Sequence, residues 1–406
     1  MGEPEALGLD PRRLARINET LQRHVDSGGI TGAAFIFARR GRIAHYGAVG
    51  YTDPNAGTPL AYDALYQTYS STKVVCAVAL AMILEEGLVR LSDPISRYFP
   101  EFAGANVAVR KGPPALWTPR RPDEPPPDFY VVPAKRDITV QDLATHTAGL
   151  ITADPRRVGM NPPRRTPGQS LLDYARSLGG VPLDFQPGER WSYSGLVGCD
   201  VLTGLLELLT GQTFESFIQT RIFDPLGMTE TFFNVPAAEA SRLLPVFRRV
   251  DDAWVRLAPG NSTEAAALEG RNPASGSMGL VSTADDLLRL QQMLADRGKS
   301  QDGEQLLGSR TVELIGTNLV GELYVGEGAY FKPMYGHGFG ILNQVVLDPP
   351  RGETGRSRGA FGWGGAFGTM NWTDPAEGIA GVIMLQQNNR EAHIDYERAM
   401  RQAIVD

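Results

Sequence analysis

An unbroken apolar run directly after a Ser-x-x-Lys tetrad limits how this chain can fold. Ser70-Ser71-Thr72-Lys73 precedes the segment Val74 to Leu84, which is apolar throughout. In a helix, residues three apart share one face, so the Ser70 hydroxyl and the Lys73 ammonium would meet one turn apart. A helix that is apolar on every side is buried. The sequence therefore predicts a core helix that begins at Ser70.

Two interpretations of the tetrad follow from this placement. In the first, Ser70 is a nucleophile at the positive end of the helix dipole, and burial lowers the pKa of Lys73 so that the neutral amine acts as its base. In the second, Ser70 is an N-cap and Lys73 is a surface residue whose stem lies along the core. A four-residue pattern arises easily by chance, so the tetrad alone does not decide between them.

Length and charge exclude several classes of protein. A chain of 406 residues is long enough for more than one domain and a large core. The net charge of -7 is mild and the basic residues are scattered, so we expect no nucleic-acid partner. Without a long apolar segment or a recognisable leader, we expect no membrane span and a cytoplasmic protein. We expect Cys76 and Cys199 to be buried and reduced.

Both ends of the chain have strand and amphipathic helix patterns, whereas the middle is helical. Helices are predicted at 11–26 and 391–404, and strands at 32–38, 42–50, 338–347, 360–372 and 379–387. Short helical segments at 140–145, 170–177, 195–209 and 214–222 are separated by Pro and Gly. We predict an α+β fold, with an antiparallel sheet flanked by helices and an inserted, mostly helical domain. We predict that the sheet domain consists of residues 1–66 and 270–406 and that the helical domain consists of residues 67–269.

Tyr193 is the best candidate for a second proton carrier. A lysine that takes the serine proton works better with a group that relays it to the leaving oxygen, and a phenol can do this. Tyr193 lies in a turn-rich loop, Pro187 to Gly195, that precedes an apolar helix. Taken alone, any of the 13 tyrosines is more often a core residue.

A glycine-interrupted strand, Phe361 to Thr369, is a third candidate element. Glycines inside a strand often mark a close backbone approach. If this is an edge strand beside Ser70, one of its N–H groups can complete an oxyanion hole with the N–H of Ser70. The alternative is a bulge or a packing kink without a catalytic role.

In this order, these segments resemble the serine β-lactamase and penicillin-binding-protein superfamily, and specifically its family VIII carboxylesterase branch. The resemblance covers nearly the whole chain. Its motifs are Gly50-Tyr51 through Ser70 to Lys73, Asp137 to Leu150, Pro187 to Tyr193, Ile222 to Met228, Gly276 to Thr283 and Trp363 to Gly365.

The resemblance implies a β-lactamase/transpeptidase-like fold and a serine hydrolase that cleaves short-chain carboxylic esters without a cofactor. Ser70 would be the acylated nucleophile, and Lys73 and Tyr193 would share the roles of general base and acid. The backbone N–H groups of Ser70 and Ala366 would form the oxyanion hole. Water or an alcohol would then resolve the acyl-enzyme.

Two departures from the β-lactamase pattern bear on the substrate. Tyr193-Ser194-Gly195 replaces Tyr-x-Asn and lacks the amide that holds a β-lactam side chain. Trp363-Gly364-Gly365 replaces Lys-Thr-Gly, so an apolar ring stands where a cation would bind a carboxylate. These four substrate-binding positions, Gly195, Trp363, Gly364 and Gly365, favour a neutral small-molecule ester. An acyltransferase, a weak β-lactamase or amide hydrolase, and a non-catalytic binding protein remain as alternatives.

Other signals are set aside. Gly355 to Gly359 fits Gly-x-Ser-x-Gly, but the strand and helix that a nucleophile elbow needs do not flank it, and its two arginines indicate a solvated loop. For His146 we expect a structural hydrogen-bonding role, and His337 can line the pocket. The Pro-rich segment 112–135 forms either a pocket wall or a surface excursion. No residues have metal-site spacing, so no metal is expected.

Overall fold

An eight-stranded sheet forms the frame of the protein. The computed structural model describes residues 2–112, 128–153, 163, 165–166, 168–325 and 334–406. In chain order the strands are β1 Gly32–Arg39, β2 Arg42–Asp53, β3 Thr58–Pro59, β4 Tyr66–Gln67, β5 Asn106–Arg110, β6 Phe129–Pro133, β7 Phe247–Val250, β8 Ala253–Arg256, β9 Val281–Ser282, β10 His337–Phe339, β11 Gln344–Val346, β12 Phe361–Gly364, β13 Met370–Asp374 and β14 Ile379–Met384. The main sheet has the order β10-β11-β12-β13-β14-β1-β2-β3, and all its neighbours pair antiparallel.

Helices cover both faces of this sheet and fill the middle of the chain. They are α1 Pro11–Asp26, α2 Thr72–Glu85, α3 Val140–Ala144, α4 Leu171–Ser177, α5 Gly198–Thr210, α6 Phe214–Ile218, α7 Asp224–Leu226, α8 Glu264–Leu268, α9 Ala284–Ala295, α10 Ser309–Ile315, α11 Pro349–Gly352 and α12 Arg390–Ala403. A π-helical turn, Gln219–Phe223, joins α6 to α7. The α+β fold predicted from the sequence is confirmed.

Strand β1 is buried at every position because both faces of the sheet are covered. Phe35 and Phe37 point into a cluster with α1 and α12, and Ile36 points into a second cluster with α9. This alternation follows from the two-residue period of a strand. Helix α1 begins as predicted, with the Asp10 side chain accepting hydrogen bonds from the first backbone N–H groups.

The β1–β2 hairpin turns at Arg40 and Gly41, which have φ angles of 53° and 74°. Two consecutive positive φ angles match the twist of a tight hairpin, which joins the two strands that the sequence predicted. Two longer segments, each predicted as one continuous strand, form two strands joined by a turn. Segment 338–347 forms β10 and β11 around a turn at Leu342, which has φ 53°. Segment 360–372 forms β12 and β13 around a turn at Gly368, with φ 90°.

Helix α2 lies at the centre of the largest hydrophobic cluster, which also contains residues of α3, α5, α6 and α10. Its residues Thr72 to Ile83 are all buried, which confirms the core helix expected from the apolar run. All strands of the main sheet lie within 1–66 and 270–406, but the division at these residues into two domains stays a prediction. The middle segment 67–269 holds α2 to α8.

Candidate active site

Ser70 lies in a 3₁₀ turn, Tyr69–Ser71, that leads into α2 at Thr72. The helix therefore begins two residues later than predicted. Ser71 occupies the N-cap position without a capping hydrogen bond from its side chain, so the interpretation of Ser70 as an N-cap was wrong. Tyr69 has φ 46°, a backbone conformation that costs energy for a residue with a side chain. Strain of this kind clusters at functional sites, so this turn is a candidate for one.

Lys73 is completely buried, which excludes the surface interpretation. Its Nζ lies 2.7 Å from the carbonyl oxygen of Ser277, 2.8 Å from that of Gly195 and 3.3 Å from Ser70 Oγ. An ammonium has three N–H groups and no acceptor, and here each N–H has one oxygen to bind. This arrangement fits a charged lysine.

The charge on Lys73 is the opposite of what the sequence suggested. Burial alone would lower the pKa of Lys73, but attraction to Tyr193, followed by Cys199 and Asp200, outweighs it, so this pKa is raised. The expectation of a neutral amine was therefore wrong. A protonated Lys73 acts on Ser70 by donating a hydrogen bond and by stabilising negative charge nearby.

Tyr193 completes the group around the serine. Its Oη lies 2.8 Å from Ser70 Oγ, and Trp363 Nε1 donates to the same phenol oxygen at 3.3 Å. Lys73 Nζ lies 5.2 Å from the centre of the Tyr193 ring. Ser70 and Lys73 belong to one turn, whereas Tyr193 and Trp363 come from two other parts of the chain, and the fold brings all three parts together.

The turn after β12 packs directly against the turn that carries Ser70. Thr369 Oγ1 donates to the carbonyl oxygen of Thr68 at 2.9 Å and lies 3.0 Å from Ser71 Oγ. A Cβ on Gly365 would stand 2.2 Å from the Thr68 oxygen, so only glycine fits there. Ala366 is the next residue and is exposed. From its sequence this segment was a candidate edge strand, but β12 lies between β11 and β13 inside the sheet. The glycines at its end lead into a turn.

Aromatic rings form the wall beside Tyr193. Trp363 packs against Tyr193 and Phe339 at ring-centre distances of 5.5 and 5.4 Å. Gly195 is half-buried, and a Cβ there would lie 3.0 Å from the Tyr193 ring. Leu196, which follows it, is 55% exposed and adds apolar surface beside the site.

The two histidines differ in position. His146 is buried, with its ring edge-on to Tyr193 at 4.9 Å. Burial, and then the charge of Lys73, hold the pKa of His146 well below its usual value, so the ring is neutral. Its backbone bonds to Leu143 and Ser192, whereas neither ring nitrogen has a hydrogen-bond partner among the described residues. The hydrogen-bonding role expected for His146 thus holds for its backbone and not for its ring.

His337 packs against α11. Its Nδ1 is 3.1 Å from the carbonyl oxygen of Tyr335, and its ring lies against Gly352 of α11. Arg356 and Glu397 are among the charges that act on it. Within the described part of the chain, no hydrogen bond or ring contact joins His337 to Ser70, Lys73 or Tyr193.

The Gly-x-Ser-x-Gly segment is not a nucleophile elbow, because it lies between the short helix α11 and strand β12. The loop is less solvated than expected. Arg356 is 9% exposed, pairs with Glu397 at 2.5 Å and lies 4.4 Å from the centre of the Trp372 ring. This arginine therefore ties the loop to α12 and the sheet.

Part of the Pro-rich segment 112–135, namely 113–127, lies outside the described residues, while its end forms β6, which pairs with β5. Over the ranges that the structure describes, no helix is both long and apolar enough to cross a bilayer. In the same ranges, no three side chains of His, Cys, Asp or Glu gather as a metal site would require.

Sequence reasoning missed Asp200, Ser277 and Thr369. Asp200 is 6% exposed in the first turn of α5, and burial raises its pKa to about 6. A charged residue within the apolar stretch that begins α5 was a signal that this carboxylate would be buried near the site. The carbonyl of Ser277 and the hydroxyl of Thr369 had no comparable signal, because their partners are distant in sequence.

Comparisons with known proteins support the same interpretation of the fold. The family model described as Beta-lactamase matches residues 17–404. An uncharacterised protein of Mycobacterium tuberculosis is 30% identical over 89% of this chain and 87% of its own. Esterase EstB of Burkholderia gladioli is 27% identical over 94% of this chain and 93% of its own. The solved structure of EstCE1, described as a hydrolase with promiscuous acyltransferase activity, has a TM-score of 0.76 at 24% identity and covers 97% of this chain and 99% of its own.

Proposed function

Because this chain belongs to the beta-lactamase family, we propose that it is a serine hydrolase that cleaves short-chain carboxylic esters through an acyl-enzyme on Ser70. Esterase, acyltransferase and carboxypeptidase relatives on this fold support acyl transfer to or from a serine. The observation that carries the proposal is the position of Ser70 Oγ, 2.8 Å from Tyr193 Oη and 3.3 Å from Lys73 Nζ.

In the first half of the reaction, Ser70 Oγ attacks the ester carbonyl carbon while its proton passes to Tyr193 Oη. Accepting this proton requires the Tyr193 oxygen to carry negative charge during the transfer, and the Lys73 ammonium and the Trp363 Nε1–H are the groups beside it that would stabilise that charge. Tyr193 then gives the proton to the departing alcohol oxygen. The bond between carbonyl carbon and alcohol oxygen breaks, and the acyl group stays on Ser70.

The negative charge on the carbonyl oxygen needs donors in place before the reaction. The proposed donors are the backbone N–H groups of Ser70 and Ala366. The contact of Thr369 with Thr68 and Ser71 supports this pairing, because it fixes the two turns against each other. In the second half, water attacks the acyl carbon while Tyr193 takes its proton, the bond between that carbon and Ser70 Oγ breaks, and Tyr193 returns the proton to Ser70 Oγ.

The proposed substrate is an uncharged ester. Trp363 presents an indole where a lysine would bind a carboxylate, and its N–H is already used by Tyr193. Gly195 leaves room beside the Tyr193 ring but offers no side-chain amide. A small apolar acyl group fits such a wall of aromatic rings better than a charged group does.

Acylation tests the proposal most directly. The protein would be mixed with a short-chain nitrophenyl ester, product release followed, and the intact mass measured after a rapid acid quench. We expect a mass increase of one acyl group on Ser70 and no turnover in Ser70→Ala. Turnover that persists in Ser70→Ala excludes this mechanism, and a protein that a fluorophosphonate probe does not label would instead be a non-catalytic binder.

Acyl transfer is the second candidate, since EstCE1, which shares this fold, is described as a hydrolase with promiscuous acyltransferase activity. The same acyl-enzyme would serve both reactions, and only the acceptor differs. Adding an alcohol and measuring the ratio of new ester to free acid separates the two. A product mixture dominated by new ester at low alcohol concentration favours transfer.

A further inference from the structure

Three hydrogen bonds connect Lys73 with a buried carboxylate that the proposed mechanism does not use. Lys73 Nζ donates to the carbonyl oxygen of Ser277 at 2.7 Å. The Ser277 N–H donates to Ser275 Oγ at 3.0 Å, and Ser275 Oγ donates to Asp200 Oδ1 at 2.5 Å. Asp200 thus fixes the segment whose carbonyl holds Lys73.

The segment between Ser275 and Ser277 is tightly packed. A Cβ on Gly276 would lie 2.5 Å from Thr203 Cγ2 of α5 and 3.0 Å from Cys76 Sγ of α2. These distances are too short for a side chain, so the backbone passes directly between the two helices. A change at Asp200 therefore reaches the Ser277 carbonyl without being absorbed by loose packing.

The charges of Lys73 and Asp200 also support a coupling between these two residues. Lys73 is fully buried and Asp200 is 6% exposed, and a buried charge needs a partner of opposite sign. Lys73 and Asp200 each act on the other electrostatically. The other ionisable groups that face this pair are Tyr193, His146, Cys76 and Cys199 around Lys73, and Arg165 and Tyr174 around Asp200.

Most of these groups do not supply the negative charge that balances the Lys73 ammonium. His146 is neutral, because burial and the Lys73 charge keep its pKa low. Hydrogen bonding with Cys199, followed by burial, raises the pKa of Cys76 well above its usual value. Apart from Tyr193, which the proposed mechanism already uses as the proton carrier, Cys199 is the neighbour among the described residues that can also supply negative charge. Burial alone would raise the pKa of Cys199, but the hydrogen bond with Cys76 and the charge of Lys73 outweigh it, so this pKa is lowered.

We propose that Asp200 is a positioning residue for the Ser70 reaction, whose carboxylate balances the Lys73 ammonium and holds the Ser277 carbonyl against it. Ionised Asp200 keeps Lys73 directed at Ser70 Oγ, and protonated Asp200 loosens that hold. The activity part of this inference rests on the proposed function, whereas the coupling between Asp200 and Lys73 does not.

The first test is the pH profile of ester hydrolysis. Because the pKa of Asp200 lies at about 6, kcat in the wild type should rise as the pH passes through that value. In Asp200→Asn this rise should disappear, and kcat at neutral pH should fall roughly tenfold or more with little change in KM. Ser275→Ala keeps the carboxylate but removes both a hydrogen bond that favours its ionised form and the link to the Ser277 N–H, so kcat at neutral pH should fall and the rise that remains should be smaller and move to higher pH.

Matched variants separate this role from a general loss of structure. Asp286 is another buried aspartate whose pKa burial raises to about 6, but its partners are Thr231 and the Glu230 N–H. Asp286→Asn should keep the rise in kcat near pH 6. Cys199→Ala should keep it too. Loss of the rise in either variant, or its persistence in Asp200→Asn, overturns the proposal.

A measurement without turnover tests the coupling itself. With isotope-labelled lysine, the Lys73 resonance is assigned by its absence in Lys73→Ala, among only a few others from Lys111, Lys135, Lys299 and Lys332. Its chemical shift should change with a midpoint near pH 6 in the wild type and in Asp286→Asn, but not in Asp200→Asn. A protein without esterase activity that shows this shift refutes the proposed function and keeps the coupling. An active protein without it refutes the inference.

Discussion

Tyr193 Oη lies 2.8 Å from Ser70 Oγ, although 123 residues separate the two in sequence. The loop that carries Tyr193 and the turn that carries Ser70 meet because α2 and α5 pack in the same hydrophobic cluster. Trp363 Nε1 approaches the same phenol oxygen from β12. The phenol therefore has a fixed position before any substrate binds.

Tyr193→Phe removes only the phenol oxygen and should lower kcat about 10²- to 10⁴-fold, the usual contribution of a positioned proton carrier. The ring stays in the aromatic cluster, so the thermal unfolding midpoint should remain near that of the wild type. Tyr130→Phe is the matched control, because Tyr130 is 48% exposed on β6. Wild-type turnover in Tyr193→Phe would remove this residue from the mechanism.

Lys73→Ala should be nearly as damaging as Ser70→Ala. Lys73 binds Ser70 Oγ, and the two groups act as one unit, so their effects are not additive. The double variant should therefore lose little more activity than either single one, which steady-state kinetics on one ester can show. Losses that simply multiply would indicate that Lys73 acts independently of the serine.

Thr369→Val tests the junction between the two turns that carry the proposed oxyanion donors. The valine keeps the shape but loses the hydrogen bonds to Thr68 and Ser71. We expect kcat to fall while KM changes little, since the donors matter most in the transition state. Thr369→Ser restores the hydroxyl and should recover most of the rate. Equal losses in both variants would point to packing alone.

The sequence predicted the parts of the fold that follow from local patterns. The apolar run predicted α2 as a buried helix, and the amphipathic pattern predicted α1 at its observed bounds. Turns were harder to predict, because Leu342 has a positive φ angle that no residue type announces. The predicted strand at 338–347 therefore became a hairpin.

The candidate site was predictable where side-chain chemistry is visible in a motif, as for Ser70, Lys73 and Tyr193. The charge of Lys73 was not, because burial and attraction act in opposite directions and only the structure shows which groups lie near the amine. The exposure of Arg356 was misjudged for a similar reason. Its partners Glu397 and Trp372 are far from it in sequence.

Substrate charge gives a further prediction. A nitrophenyl acetate should be hydrolysed with a higher kcat/KM than a nitrophenyl monosuccinate, because the indole of Trp363 offers no cation to the distal carboxylate. Trp363→Phe keeps an apolar ring but removes the N–H that binds Tyr193, so it should slow both esters about equally. A preference for the charged ester in the wild type would contradict the proposed substrate class.

Asp286→Asn should change how stability depends on pH. Burial raises the pKa of Asp286 to about 6 in the folded protein, from an ordinary value of 3.8 in the unfolded chain. The folded state thus binds the proton more tightly, so this contribution to the free energy of unfolding is fully present below about pH 4 and is lost as the pH rises through about 6. Asparagine cannot ionise, and the variant should lose this part of the slope. Urea unfolding at several pH values should therefore show that the free energy of unfolding of the wild type exceeds that of Asp286→Asn by more at pH 4 than at pH 7. A difference that is constant or grows with pH would show that Asp286 is already ionised in the folded protein at low pH.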